Sequence, residues 1–132
     1  MTQFFTNLRL LDPQAGTLEP AAVLVRNGVI AEVLASDATT PDGAEVMDCS
    51  GHILAPGIVD IGVKVCEPGE RHKESYRSAG LAAAAGGVTT MVTRPDTDPA
   101  IDSPETLEFV TRRANEAAPV NVVPMAALTK GR

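Results

Sequence analysis

The sequence predicts an α/β fold in two parts, an all-β segment over residues 1–54 and parallel strand–helix units over residues 55–132. Three observations indicate this division. The pair Asn27-Gly28 between two apolar runs marks a hairpin, because both central residues of a type I′ turn need positive φ. Beyond residue 57, strand patterns alternate with helical patterns, which is typical of βαβ units. The change falls at the turn-forming segment Ala55-Pro56-Gly57.

The first part contains five short segments with strand character. Asp12-Pro13 and Gly16 end the first of them, and Ser50-Gly51 separates the last two. The hairpin at Asn27-Gly28 joins the second and third segments. The predicted strands are Thr2–Leu11, Ala21–Arg26, Val29–Leu34, Glu45–Cys49 and His52–Leu54.

The second part begins with a segment from Ile58 that alternates apolar residues with polar or small ones. This period of two predicts a strand with one apolar face and one face that could carry chemistry. The predicted apolar face consists of Val59, Ile61, Val63 and Val65. The predicted opposite face consists of Asp60, Gly62, Lys64 and Cys66.

Two helices and two further strands are predicted after this segment. Ser75–Ala85 contains good helix formers and ends at Gly86-Gly87, a common C-terminal stop. Ser103 caps the second helix, with Pro104 at its first position. One face of that helix is predicted to carry Leu107, Val110, Thr111 and Ala114. The two strands are predicted at Val88–Thr93 and Val120–Leu128.

The composition excludes several classes of function. Acidic residues outnumber basic residues by 17 to 11, and the resulting net charge of -6 argues against binding to nucleic acid. No apolar run approaches the roughly 20 residues of a membrane-spanning helix, so we expect no membrane association. The two cysteines, Cys49 and Cys66, lack a C-x-x-C spacing, and no secretory leader precedes them. We therefore expect a cytoplasmic protein.

A frame of Pro-Gly pairs surrounds the strand that begins at Ile58. Asp60 follows the first pair, and Pro68-Gly69 forms the second. Further segments of the frame are Lys73-Glu74-Ser75, Gly86-Gly87-Val88-Thr89-Thr90 and Arg94-Pro95-Asp96-Thr97-Asp98-Pro99. This frame resembles the first barrel strand and following loops of the dihydroorotase branch of the amidohydrolases. In that family, Pro-Gly, an apolar pair and Asp-x-His-x-His-x-Arg lead into a second Pro-Gly.

The resemblance implies a partial amidohydrolase fold. Residues 1–54 would be the N-terminal part of a small β-sandwich, and residues 55–132 the first three strands and two helices of a TIM barrel. A closed barrel takes about 250 residues, and three strands cannot close, so we expect open edges and an uncovered apolar face. We therefore expect the chain to be part of a longer protein or of an assembly.

The residues that carry the family's chemistry are replaced in this sequence. The two metal-binding histidines correspond to Gly62 and Lys64, and the substrate-binding arginine corresponds to Cys66. Asp96 takes the place of an asparagine that helps to hold the substrate carboxylate. We therefore expect no zinc at this strand, because glycine offers no ligand and a lysine cation repels a metal. Lys64 either holds an anion in place of the metal or is a solvated or ion-paired lysine.

The two histidines and Cys66 are weaker candidates for a metal site or a catalytic nucleophile. His52 and His72 lie twenty positions apart and make no recognisable metal pair. Cys66 would be a nucleophile if Lys64 activated its thiol, but we identify no histidine as a candidate base for it. We expect a structural thiol and no catalytic residue.

The resemblance implies a dihydroorotase-like protein of pyrimidine biosynthesis without catalytic activity. Homologues that have lost the metal ligands serve as structural partners of aspartate transcarbamoylase, so we expect a hetero-oligomer with that enzyme, self-association, or both. The charged loop Glu67–Lys73 is a candidate contact, because it follows a barrel strand. The alternative is a divergent active cyclic amidohydrolase of the dihydroorotase, hydantoinase or allantoinase type.

Overall fold

The computed structural model describes residues 1–131. They form two compact units, Met1–Pro56 and a second unit that begins at Gly57. The first unit contains the strands β1 (Thr2–Asp12), β2 (Thr17–Arg26), β3 (Val29–Ala35), β4 (Glu45–Asp48) and β5 (Ile53–Leu54). The second contains β6 (Ile58–Val63), α1 (Tyr76–Ala85), β7 (Val88–Thr93), α2 (Pro104–Ala117) and β8 (Asn121–Pro124). The predicted α/β class is confirmed, with strands alone in the first unit and alternating strands and helices in the second.

The first unit is one sheet in the order β3-β2-β1-β4, with β5 also paired to β1. β1, β2 and β3 pair antiparallel, whereas β4 and β5 run parallel to β1. The predicted hairpin is confirmed, since Asn27 and Gly28 have φ values of 53° and 78° between β2 and β3. Positive φ at both positions matches the twist of the flanking strands.

A bulge in β1 organises the packing of this sheet. The register with β2 shifts between Phe5 and Leu8, where Asn7 has a φ of 58°. Phe4 and Leu8 would share a face in a regular strand, but the extra residue places them in separate buried clusters. Residues 21–24 of β2 are all buried, so both faces of this central strand are covered.

The second unit is a parallel sheet in the order β6-β7-β8, as the βαβ pattern predicted. Both helix starts are confirmed. Ser75 caps α1 in a capping box with Ser78, and Ser103 caps α2 ahead of Pro104. The helices pack on β7, on β8 and on each other. The buried core consists of Val65, Tyr76, Ala79, Met91, Ile101, Val110 and Ala114.

The predicted faces of the strand from Ile58 are wrong in part. β6 ends at Val63, and a register shift between Ile61 and Val63 makes Gly62, with a φ of 95°, an extra residue in the strand. A bulge reverses the alternation beyond it. Val63 and Val65 therefore pack towards the helices, whereas Val59 and Ile61 are 56% and 72% exposed. Lys64 and Cys66 lie in the loop after the strand.

The third predicted strand is shorter than the apolar run Val120–Leu128. β8 covers Asn121–Pro124, and the chain then turns so that the Ala127 amide donates to the Ile101 carbonyl at 2.7 Å. One face of the sheet is open, as expected. Ile61, Val92 and Val123 are neighbours across the three strands on this face, and the Val123 side chain is 52% exposed.

No helix within residues 1–131 combines the length and the apolar character that crossing a membrane would require.

Candidate functional site

The candidate site lies where β6 and β7 end and their loops meet. A cavity of about 290 Å³, termed the rim cavity here, is lined by residues of both loops. Ligand sites of parallel α/β folds lie at the carboxyl ends of the strands. A larger cavity of about 540 Å³ lies near the amino ends of β7 and β8, but no charged side chain among residues 1–131 lines it. The rim cavity is therefore the better candidate.

Asp96 joins the two loops electrostatically. Its Oδ2 atom lies 3.6 Å from Lys64 Nζ and accepts a hydrogen bond of 2.9 Å from Arg94 Nη2. The Lys64 side chain is 56% exposed and that of Asp96 25% exposed, so the Lys64 pair contributes about 1 kcal/mol or less to stability. The main effect of the two contacts is on geometry, because Lys64 and Arg94 together hold the Asp96 carboxylate at the cavity wall.

The backbones of the two loops also pack closely. Gly69 has a φ of 101°, and a Cβ atom on it would lie 2.5 Å from the Asp98 carbonyl oxygen. The Asp98 amide donates to the Pro68 carbonyl at 3.3 Å, and the Arg94 amide donates to the Val63 carbonyl at 2.9 Å. Only glycine fits at this point of contact, and the rim cavity has a defined shape as a result.

A buried carboxylate, Glu67, anchors the loop after β6 to both helices. Its Oε1 atom accepts a 2.7 Å hydrogen bond from Arg113 Nε of α2, and its Oε2 atom accepts one of 3.0 Å from the Tyr76 amide of α1. Arg71 Nε lies 3.6 Å from Oε1. Burial raises the pKa of Glu67, but the Arg113 and Tyr76 hydrogen bonds and the charges of Arg113 and Arg71 outweigh it and lower that pKa. Glu67 is therefore an ionised structural anchor.

Tyr76 and Thr93 carry buried hydroxyl groups. Within residues 1–131, neither hydroxyl meets the geometry of a hydrogen bond with a protein partner. Burial raises the pKa of Tyr76, and the nearby Thr93 hydroxyl offsets this only in part. Neither residue lines the rim cavity, so both belong to the packed interior.

The structure brings together three of the four predicted site residues. Lys64, Cys66 and Asp96 line the rim cavity, and Cys66 is half-buried there. Gly62 does not line it and lies exposed in the β6 bulge. His52 and His72 are both exposed and belong to different units.

Sequence reasoning missed Glu67 and its contact with Arg113. The two residues are 46 positions apart, and Glu67 lies in a charged loop that was predicted to be a surface contact. The sequence signal is the place of Glu67 between the apolar Val65 and the Pro68-Gly69 turn, since a carboxylate can cap the helix that follows.

The residues present do not fit the zinc ion that the family resemblance implies. Gly62 has no side-chain atom that could bind a metal, and the Lys64 ammonium forms an ion pair with Asp96. Within residues 1–131, no group of three or more His, Cys, Asp or Glu side chains is arranged to hold a metal ion. Tetrahedral zinc sites use imidazole, thiolate and carboxylate donors that are free to coordinate.

Comparison with known proteins shows the family. Residues 51–132 match the sequence model of the "Dihydro-orotase-like" family. The chain belongs to the dihydro-orotase-like family.

Curated relatives of this dihydro-orotase-like chain carry the name dihydroorotase. The protein from Bacillus cytotoxicus is 41% identical over 129 residues, which cover 98% of this chain and 29% of the relative. The protein from Pelobacter propionicus is 38% identical over 131 residues, which cover 99% of this chain and 31% of the relative. The chain thus spans about a third of the length of these relatives.

Solved hydantoinases share the fold of this dihydro-orotase-like chain. L-hydantoinase from Arthrobacter aurescens superposes with a TM-score of 0.84 at 22% identity, over 96% of this chain and 28% of that protein. A D-hydantoinase superposes with a TM-score of 0.80 at 26% identity, over 99% of this chain and 29% of that protein. The predicted partial amidohydrolase fold is confirmed.

Proposed function

We propose that this dihydro-orotase-like chain belongs to a protein of pyrimidine biosynthesis that has lost catalytic activity and acts as a structural partner of aspartate transcarbamoylase. One observation carries the proposal. Lys64, at the place of a family metal ligand, forms an ion pair with Asp96 on the wall of the rim cavity. Metal-assisted hydrolysis needs a metal-bound water at this place. Because Lys64 is engaged in this ion pair, the residues at this place do not provide a set of metal ligands.

The substrate contacts support the same proposal. A dihydroorotate carboxylate would meet Cys66 where the family has arginine, and Asp96 where it has asparagine. Asp96 would repel a carboxylate, and both of its cation partners are already engaged with it. The cavity therefore disfavours the substrate as well as the metal.

The partner role is supported by the rigidity of the rim. The loop that contains Glu67 is tied to α1 and α2, and Gly69 packs against the Asp98 backbone. A loop held in one conformation loses little conformational entropy on binding. The open face at Val59, Ile61 and Val123 also supports association, with aspartate transcarbamoylase, with a further copy of the chain, or with more of the same protein. The proposal places the protein in the cytoplasm, in keeping with its two free thiols, Cys49 and Cys66.

The alternative is an active cyclic amidohydrolase with a divergent site. The observation that favours it is the 41% identity with a relative named dihydroorotase. Such an enzyme would use a set of ligands that does not include Gly62 or Lys64. The two proposals differ in a directly measurable activity.

Ring opening of dihydroorotate by the purified protein is expected to stay at the rate of the buffer, with and without added Zn²⁺. The reason is the loss of the metal ligands at Gly62 and Lys64 and of the arginine at Cys66. The measurement is the absorbance of dihydroorotate over time, with a dihydroorotase from a curated relative as the positive control. A matched variant of the 132-residue chain, Gly62→His, Lys64→His and Cys66→Arg together, is also expected to stay at background.

Turnover by the unmodified protein that is abolished by a chelator would contradict the proposal and establish the alternative. Turnover by the triple variant alone would show that the three positions suffice for a metal centre.

A further inference from the structure

An apolar groove lies beside the first turns of α2, next to the rim cavity. It has a volume of about 400 Å³, is termed the Phe109 groove here, and is lined by Pro68, Pro99, Glu105, Thr106 and Phe109. Pro68 follows β6 and Pro99 follows β7, so both rim loops contribute a wall. Phe109 is 45% exposed. An exposed aromatic ring beside two prolines is typical of the apolar centre of a protein interface.

The two proline walls of the Phe109 groove are held in place by hydrogen bonds. The Asp98 amide donates to the Pro68 carbonyl at 3.3 Å, which joins one loop to the other. The Thr97 hydroxyl, on a buried residue, donates to the Pro99 carbonyl at 2.8 Å. The groove is therefore formed before any partner binds, and binding costs it little conformational entropy.

The charge of the Phe109 groove is negative. Among residues 1–131, Glu105 is the one charged residue that lines it. Hydrogen bonds from its own backbone amide and from the Ser103 side chain lower the pKa of Glu105, so its carboxylate is ionised at neutral pH. The cations nearest in sequence to the lining, Arg71 and Arg113, are both paired with Glu67. The groove is therefore complementary to an apolar side chain that has a lysine or arginine beside it.

We propose that the Phe109 groove is a docking site for an apolar and basic segment of a protein partner. Phe109 and the two prolines would hold the apolar side chain, and Glu105 would pair with the basic one. The inference rests on the proposed function and deepens it, since the partner in that role is aspartate transcarbamoylase. The net charge of -6 favours the approach of a basic surface.

Calorimetric titration of the aspartate transcarbamoylase from the same organism into the protein encoded by the full gene tests the apolar contact. Phe109→Ala is expected to weaken binding at least about tenfold, because buried aromatic anchors carry much of the energy of an interface. Leu81→Ala is the matched control. Leu81 is 53% exposed on α1 and does not line the groove, so its removal is expected to leave the affinity unchanged. Circular dichroism of each variant checks that it is folded.

The same titration with Glu105→Lys tests the charge contact and does not remove any apolar side chain. Reversal of this charge is expected to weaken binding about tenfold or more, because a basic segment would then meet a like charge. Glu108→Lys makes the same change at an exposed residue of α2 outside the groove, and it is expected to leave the affinity little changed. Higher salt is expected to reduce the difference between the two variants.

Unchanged affinity in both Phe109→Ala and Glu105→Lys would overturn the inference and leave the proposed function intact, since the complex still forms. Equal losses in these variants and in their controls would also overturn it. Self-association of the unmodified protein that Phe109→Ala abolishes would assign the groove to a second copy of the chain and overturn the assignment to transcarbamoylase. Absence of any complex with the unmodified protein would contradict the proposed function, and this inference with it.

Discussion

Replacing Glu67 with alanine is expected to destabilise the second unit by about 3 kcal/mol. Removing one partner of a buried ion pair costs about 3–5 kcal/mol, and the lower end applies because the Arg113 side chain is 27% exposed. The Tyr76 amide also loses its acceptor. Tyr76 is the single tyrosine of the chain, which has no tryptophan, so its fluorescence during urea unfolding reports on the second unit alone.

The control for this variant is Glu70→Ala, three residues further along the same loop. Glu70 pairs with Lys73 at an exposed site, so its removal is expected to leave the unfolding midpoint unchanged. Equal effects of the two substitutions would contradict the anchoring role of Glu67.

The stability contributed by Glu67 is expected to depend on pH. Its folded-state pKa is lowered from an ordinary value of 4.5, so this contribution is fully present above that value and is lost as pH falls through the lower folded-state pKa. In urea unfolding below pH 4.5, the unmodified protein should therefore lose stability more steeply than Glu67→Gln. Parallel curves would contradict this assignment.

Replacing Gly69 with alanine is expected to destabilise the second unit by about 3 kcal/mol as well. A φ of 101° disfavours any L side chain, and the new Cβ would lie 2.5 Å from the Asp98 carbonyl oxygen. Part of the loop contact must then open, which separates the two walls of the rim cavity. The measurement is again urea unfolding followed by Tyr76 fluorescence.

Gly87→Ala is the matched control for Gly69→Ala. Gly87 has a φ of 80° but nothing within 4 Å of the added Cβ, so the substitution costs only the backbone strain of about 1–2 kcal/mol. A loss for Gly69→Ala that is equal to or smaller than that for Gly87→Ala would show that the two loops do not depend on this contact.

Local signals predicted much of the fold. Asn27-Gly28 determines the hairpin through its backbone conformation alone. At Ser103-Pro104, the serine side chain accepts a hydrogen bond at the helix start and the proline ring fixes φ. β7 was predicted with its observed bounds, because Val88–Thr93 is a β-branched run between a Gly pair and Arg94-Pro95. These features depend on neighbours in the sequence.

The error in β6 arose from the assumption of a regular strand. Alternation from Val59 to Val65 fits a period of two, but one extra residue at Gly62 moves Val63 and Val65 to the opposite side. A glycine within a strand pattern is the sequence signal for such a bulge. That signal was present, and only the register with β7 determines that the bulge forms.

Of the four predicted site positions, Lys64, Cys66 and Asp96 line the rim cavity and Gly62 does not. The resemblance to a family frame gives positions in the sequence and no distances, so it does not predict the contacts. The Lys64–Asp96 pair joins residues 32 apart, and the Glu67–Arg113 pair joins residues 46 apart. Neither separation follows a helix or strand period, so only the folded chain shows these pairs.

The proposed role requires a complex with aspartate transcarbamoylase. The full gene that encodes this chain is co-expressed with the aspartate transcarbamoylase of the same organism, and the mass is measured by light scattering after gel filtration. We expect one species heavier than either protein alone, because a stable complex would bury an interface of at least about 1,200 Å². Two species that elute separately at their own masses, with transcarbamoylase activity the same with and without the partner, would contradict it.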